Sequence, residues 1–356
     1  MTNQGTNGSQ LQAANRMKYI NSGTIWMFWE GNPSELISKC IETIRANNIH
    51  RRVVVLSKET LPLFLDPEDY PTFYDEENSG KLRQGTVDDF SSIQYLADWV
   101  RILLLEKYGG VWFDASVICT SAVEMWMAKR TGEEGEELTM AIDENKITMF
   151  AGCFNPKVHG NWAMAVARNG HPLLKAWREE FASTLREAGP RNVPTKFCTE
   201  AFEMYPSLEE IWFGNSYSGA GPPLPYLWVY LCLQVVLLKQ PNLHATVFLH
   251  QSANGPMYRN FKINVEEGVT NAAEISMKKA EHLASLPFDE TNHDQFFIKL
   301  VGSDRLPIQS HMASGNYQEG SGIDRLCRVP RRSIRFGSFL RRSVMISPMD
   351  VVMMME

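Results

Sequence analysis

Asp98, Arg101 and Asp114 are the residues of this chain whose types and spacing could do chemistry. Gln94, Asp98 and Arg101 recur at i, i+4 and i+7, so on a helix they share one stripe. Val111-Trp112-Phe113 is a short apolar run, read as a central strand. Asp114 closes it at the C-terminal end, where open α/β sheets bind their ligands. One compact place then holds two carboxylates and a guanidinium. Carboxylates can serve a divalent cation, and a guanidinium offers a fork of donors to phosphate. From pattern alone the plainer alternative also stands: a surface Asp98–Arg101 pair of little energetic worth, and a strand-end Asp in a turn.

The elements around these residues carry clear local signals. Ser91 or Ser92 can cap a helix start. Ile93, Leu96, Ala97, Val100, Leu103 and Leu104 then fall on one helical face. Gly109 supplies the left-handed end of that helix, and Gly110 allows a sharp turn into the strand. Upstream, Thr24 to Trp29 reads as a buried strand and Val53 to Leu56 as a second. Between them lies an amphipathic helix through Leu36, Ile37, Cys40, Ile41 and Ile44. Asn32 is its expected cap, with Pro33 at the first position and Glu35 completing a capping box. Strand, helix, strand at this spacing is a βαβ unit, so the sheet starts parallel and the fold class is α/β. No G-x-G-x-x-G follows the first strand, which speaks against a dinucleotide-dependent dehydrogenase.

The chain has 356 residues, room for one large domain or two small ones. It is 44% apolar and 21% charged, as globular proteins are. A net charge of −6 argues against general nucleic-acid binding. Cys40, Cys119, Cys153, Cys198, Cys232 and Cys327 are scattered with no CxxC pair. Neither a zinc site nor a disulfide framework is indicated, so a reducing, cytoplasmic setting is expected. Residues 1–20 are polar, without the apolar core of a signal peptide, and are expected to be disordered.

Leu61 to Gly85 reads as irregular surface structure, and Asp88 and Asp89 as helix-start residues. Glu124 to Arg130 is a candidate short helix, Thr131 to Glu137 an acidic solvated loop, and Leu138 to Ile142 a candidate strand. Asn161 to Ala167 reads as a helix of small residues stopped by Gly170 and Pro172. Leu173 to Glu187 is an amphipathic helix. Tyr226 to Lys239 is a buried helix, too short to span a bilayer. Ala245 to Leu249 is expected as the last strand. The domain is placed at residues 21–302 and a disordered tail at 303–356. From Arg325 to Arg342 that tail is arginine-rich without one acid. It could rest on an anionic membrane; a plain disordered tail is the simpler expectation.

Three strings carry a family resemblance: Leu96-Ala97-Asp98-Trp99-Val100-Arg101, Tyr108-Gly109-Gly110-Val111-Trp112-Phe113-Asp114-Ala115-Ser116, and Asn161-Trp162 through Gly170-His171-Pro172. Together they resemble the capsular polysaccharide synthesis protein family, a branch of the DXD sugar-binding GT-A glycosyltransferases, over roughly Gly23 to Gly255. The resemblance implies a GT-A-like (Rossmann-like), mostly parallel sheet flanked by helices. It implies a nucleotide-sugar donor, a glycan or polysaccharide acceptor, and assistance from Mn²⁺ or Mg²⁺. Phe28 and Trp29 would form the aromatic turn that meets the base, with Trp29 stacking; a core Trp is the alternative. Asp98 would bind donor hydroxyls and Arg101 the sugar or diphosphate. Asp114 would meet the ribose and the metal. Asn161 and Trp162 would touch sugar, with simple packing as the alternative. His250 and Ser252 would be late metal-site candidates. Ser116 departs from the pattern: the full motif has an acid here, and a hydroxyl is a weaker ligand. A non-catalytic nucleotide-sugar-binding protein is therefore the second reading.

Overall fold

The computed structural model describes residues 23–74, 81–124, 129–131, 139–141, 145–151, 158–208, 227–250, 262–264, 266–288 and 297–330. The expected N-terminal tail, residues 1–20, lies outside them. So do the acidic loop from Gly132, Ser252, and the arginine-rich stretch beyond Pro330.

Strand β1 (Ile25–Phe28) is buried along its whole length. Helix α1 (Glu35–Asn47) follows, and Ser34, not Asn32, caps it by accepting from the Ile37 N–H at 3.4 Å. Pro33 and Glu35 therefore do not form the expected box; a short hydroxyl nearer the helix takes the cap in place of the Asn32 amide. Strand β2 (Val53–Leu56) pairs parallel to β1, which completes the βαβ unit. In the stretch expected to be irregular, β3 (Thr72–Tyr74) and β4 (Leu82–Gln84) form a short antiparallel pair.

Helix α2 (Ile93–Tyr108) starts at Ser92, whose hydroxyl accepts from the Tyr95 N–H, and ends at Gly109 with φ +69°. Strand β5 (Gly110–Phe113) follows directly. Gly110 has φ +96°, and a Cβ there would lie 2.4 Å from the Thr24 carbonyl oxygen, so only glycine lets β5 close against β1. Strand β6 (Val117–Cys119) leaves the main sheet. Two short strands, β7 (Lys129–Thr131) and β8 (Thr139–Ala141), pair antiparallel, so Lys129 and Arg130 are strand and not the end of a helix.

Strands β9 (Ile147–Ala151) and β10 (His159–Val166) complete the middle of the sheet. The expected helix over Asn161 to Ala167 is thus a strand. All its residues from His159 to Val166 are buried, and a strand covered on both faces loses the alternation that would reveal it. Gly170 and Pro172 instead separate β10 from helix α3 (Pro172–Ala188), which opens with that proline. Helices α4 (Thr195–Met204) and α5 (Trp228–Lys239) follow, then β11 (Val247–His250). The sheet order is β11-β9-β10-β5-β1-β2. Three of its five pairings are parallel, and β10 runs against both neighbours. No described helix is long and apolar enough to cross a membrane.

The C-terminal part is more ordered than its composition suggests. Helix α6 (Ala272–Ser285) precedes β12 (Phe297–Lys299), which pairs antiparallel with β6. Helices α7 (Arg305–Ser314) and α8 (Gly322–Arg328) come next. Ile308, Ile323 and Leu326 pack with Leu36 and Cys40 of α1 and Leu283 of α6. Lys39 donates to the Cys327 and Val329 carbonyls, each at 2.6 Å. The domain therefore runs past the expected boundary at residue 302 to at least residue 330.

Two layers cover the sheet. Trp26, Phe28, Trp112 and Met164 face residues of α2, α3 and α5. Ile25, Met27, Val111, Phe113 and Ala163 face Ile37, Ile41 and Ile44 of α1 and Phe297 of β12. Asp114 sits at the tip of β5 between these layers.

Candidate active site

Helix α2 lies on β5 so that Asp98 and Arg101 point along the strand toward its C-terminal tip. Both side chains are buried, while Gln94 of the same stripe is exposed. Arg101 Nη2 is 3.2 Å from Asp98 Oδ1 and 3.2 Å from Asp114 Oδ1. Its Nη1 donates to the Asn161 carbonyl at 2.8 Å and to the Asn161 side-chain oxygen. The guanidinium also covers the Trp112 ring at 5.2 Å. Asn161 Nδ2 donates to Asp98 Oδ1 at 3.0 Å. Asn161 is only 1% exposed and ties the guanidinium to the carboxylate; it does not present itself as the open sugar contact expected of it.

Asp114 is the open member, with a quarter of its side chain exposed (25%). Its backbone N–H donates to the Trp162 carbonyl at 2.8 Å, which pins the strand tip to β10. Oδ1 accepts from Trp112 Nε1 at 3.2 Å. Oδ2 accepts from Lys299 Nζ at 2.6 Å. Arg101 reaches Asp114 from one layer and Lys299 from the other. Lys299 also lies 5.6 Å over the Trp162 ring, and Trp162 is buried.

Burial, with Asp114 adding to it, pushes the Asp98 carboxyl up to about 6, against Arg101 and the Asn161 amide. Burial also opposes the charge of Asp114, but Lys299 and Arg101 outweigh it and hold that carboxyl below its usual range. Burial would strip the Arg101 proton, and the two aspartates more than compensate. The two acids thus differ although they share one guanidinium: Asp114 is the firm anion, and Asp98 titrates just below neutrality.

Ser116 does not stand beside Asp114 as a ligand. Its hydroxyl donates to the Leu300 carbonyl at 3.0 Å, and the Leu300 N–H donates to the Ser116 carbonyl at 3.1 Å. His250 lies at the end of β11, three strands from β5. At about 4.8 Å per strand that is roughly 14 Å, too far for one ion to join both. Among the described residues no three His, Cys, Asp or Glu side chains come close enough to hold a metal. With both Asp114 oxygens already bonded to protein donors, the residues present do not fit the divalent cation that the family resemblance implies.

Phe28 and Trp29 point to opposite faces of β1. Phe28 is buried among the α2-side core residues, so it cannot share a base with Trp29. Trp29 packs on the other face, with the Arg305 guanidinium 5.8 Å over its ring. Asp88 and Asp89 lie in a short 3-10 turn ahead of α2, where the exposed Asp88 pairs with Lys58 at 3.1 Å and Asp89 closes a capping box with Thr86 and pairs with Arg83 at 2.6 Å. Lys299 and Arg305 had no motif to announce them; the only signal was the apolar run Phe296-Phe297-Ile298 ended by a lysine.

A sheet covered on both faces, with a buried ionic cluster at the C-terminal tip of a central strand, places the chain in the α/β class, in which such strand ends are where ligands bind. The sequence pattern described as "Capsular polysaccharide synthesis protein" matches residues 3–185, just over half of the chain. The chain belongs to that family. No curated protein matches it. Among solved structures it is similar to the PaToxG glycosyltransferase, at 16% identity over 65% of this chain and 85% of that one, with a TM-score of 0.28. The ligand-free glycosyltransferase domain of the YGT toxin matches at 10% identity over 83% and 90%, with a TM-score of 0.38. The galactosyltransferase LgtC, in complex with donor and acceptor sugar analogues, matches at 11% identity over 68% and 78%, with a TM-score of 0.31.

Proposed function

We propose that this chain is a GT-A-type glycosyltransferase that moves a sugar from a nucleotide-sugar donor to a glycan or polysaccharide acceptor. The observation that carries this reading is the buried clamp of Asp98, Arg101 and Asn161 ending in the part-exposed Asp114. Ionic side chains at such depth are costly to desolvate. Their placement at the strand end where such sheets bind ligands, with two carboxylates pushed in opposite directions, supports a working site.

In this reading Asp114 accepts hydrogen bonds from ribose or sugar hydroxyls at the open side of the cluster. Arg101 ties Asp98 to Asp114 and adds its buried positive charge behind the place of the donor's anionic part. Asn161 is a positioning residue that orients both partners of the clamp. Trp29, at the tip of β1, offers the flat surface for the base. In the reaction the bond from sugar C1 to the diphosphate oxygen breaks, and its electron pair leaves with the diphosphate. The acceptor hydroxyl oxygen bonds to C1, and its proton ends on the released diphosphate. Positive groups around Asp114 meet the charge that grows on the leaving group.

The test is release of nucleotide from a panel of nucleotide sugars by wild type and Asp114→Asn. Turnover of one donor, lost in a variant that still folds, is expected. The second reading, nucleotide-sugar binding without chemistry, is favoured by Ser116, where the full motif has an acid. Donor binding with no turnover, even when acceptor glycans are supplied, would favour that reading instead.

A further inference from the structure

The disagreement between the cluster and a metal site has a positive side: protein cations occupy the ground that an ion would take. Lys299 Nζ is bonded to Asp114 Oδ2 at 2.6 Å, and Arg101 holds Oδ1. Lys299 is placed there by pairing. Strand β12 sets Lys299 opposite Val117, and the two-way bond between Ser116 and Leu300 closes the pair just beyond it.

A second buried group stiffens this arrangement from behind. The side chains of Lys279 and Asp304 are both 0% exposed and 2.8 Å apart. Lys279 Nζ also donates to the Lys299 carbonyl at 2.6 Å. Asp304 accepts from Ser276 Oγ at 2.8 Å and from the Val301 N–H at 2.9 Å. A fully buried ion pair is expensive to desolvate and weak evidence for stability. Here it fixes the backbone on both sides of the turn that follows Lys299.

Arg305 extends the same positive surface. It opens α7, stacks over Trp29, and is close enough to Lys299 for the two like charges to act on each other. Its Nε and the Trp29 Nε1 are buried atoms with no acceptor among the described residues. Buried donors are normally paired, so these two call for an acceptor that the described residues do not supply. Asp304 already serves Lys279. Among the described residues the ion pairs of Arg101 and Lys299 go to Asp98 and Asp114, and Arg305 has none, so three positive charges stand with two negative ones and one is left over for a ligand.

We propose that Lys299, with Arg305 beside it, does the work of a divalent cation in this chain: together they hold the diphosphate of the donor, so that donor binding and sugar transfer proceed without metal. The inference rests on the nucleotide-sugar reading above. When the bond to C1 breaks, the electron pair stays on the diphosphate oxygen, and Lys299 meets the added charge as an ammonium that keeps its proton.

Calorimetric titration of the full chain with uridine, guanosine, adenosine and cytidine diphosphates, in EDTA and then in Mn²⁺, tests this. One nucleotide should bind with a Kd that agrees within about twofold in the two conditions. Lys299→Met should weaken it by about ten- to a hundredfold in both, the worth of one charge-assisted bond, and Lys299→Arg should restore most of it. Arg305→Met should weaken it as well, and it settles the matter should Lys299→Met not fold. Binding that appears only with Mn²⁺, or Lys299→Met and Arg305→Met proteins that bind like wild type in EDTA, overturns the inference and leaves the nucleotide-sugar reading intact. No binding of any nucleotide in either condition overturns both.

Discussion

Replacing Arg101 by Met removes the charge that holds two buried carboxylates together. In the wild type the guanidinium pairs with Asp98 and Asp114 at 3.2 Å each. The variant keeps the apolar bulk over Trp112 but leaves Asp98 buried with the Asn161 amide as its only side-chain partner among the described residues. Truncating one partner of a buried pair costs about 3–5 kcal/mol, because the other charge stays behind. The variant has one escape, which is to protonate Asp98. Burial already lifts that carboxyl from 3.8 to about 6, so keeping it ionised in the fold costs the wild type roughly 3 kcal/mol relative to the unfolded chain. Arg101 works against that rise, so its removal lifts the value further.

The sign follows from linkage. A carboxyl whose folded pKa is raised contributes stability that is fully present below its unfolded value. That contribution is lost as pH climbs through the folded value, about 6 in the wild type and higher in the variant. Near pH 7.5 the variant therefore pays the full penalty of about 3–5 kcal/mol. Near pH 5 Asp98 is protonated in both proteins, and the gap should shrink to the lost bonds to Asn161 and to Asp114, which stays an anion. Urea unfolding of wild type and Arg101→Met at the two pH values reads this directly. An equal gap at both would refute the idea that Arg101 is there to compensate Asp98.

Three further outcomes are expected. In a pH profile of donor turnover, kcat/KM should fall as pH drops through about 6, when Asp98 gains its proton and no longer anchors Arg101; Asp98→Asn should lack that acid limb. Lys279→Met should lose about 3–5 kcal/mol in urea unfolding by stranding Asp304 in the core. Lys279→Met combined with Asp304→Leu should regain most of that stability, yet bind nucleoside diphosphates poorly, since Lys299 is no longer held. Ser116→Asp, the change that would complete the acidic motif, should gain no Mn²⁺-dependent turnover in a metal titration, because the new carboxylate loses the bond to Leu300 and competes for Lys299.

The elements legible in the sequence were those with local signals of their own. Helix α2 carried a hydroxyl cap, a one-sided apolar face and a glycine end, and the βαβ unit carried two apolar runs about an amphipathic helix. Strand β10 was misread because His159 to Val166 is buried on both faces, and a run without alternation fits a buried helix equally well. Phe28 was misread for a simpler reason. Adjacent residues on a strand face opposite sides, so an aromatic pair cannot present two rings to one ligand. Helices α7 and α8 bury only Ile308, Ile323 and Leu326 as large apolar anchors, too few in helices of ten and seven residues to give a readable pattern.

The cluster itself divides along the same line. Asp98, Arg101 and Asp114 lie within one helix–strand passage, so spacing alone brings them together. Lys299 comes from 185 residues further on, and only strand pairing can deliver it. A slip of one residue between β6 and β12 would turn Lys299 to the opposite face and leave Asp114 without its second cation. The two-way bond of Ser116 to Leu300 opposes that slip, since it pairs these residues and no others. Ser116 thus reads differently in space than in sequence. In the motif it is a missing acid. In the fold its hydroxyl adds a bond to the ladder that carries the lysine. The departure at 116 and the arrival of Lys299 at Asp114 then belong to one arrangement, in which the charge beside Asp114 is supplied by side chains and a hydroxyl helps to hold its position.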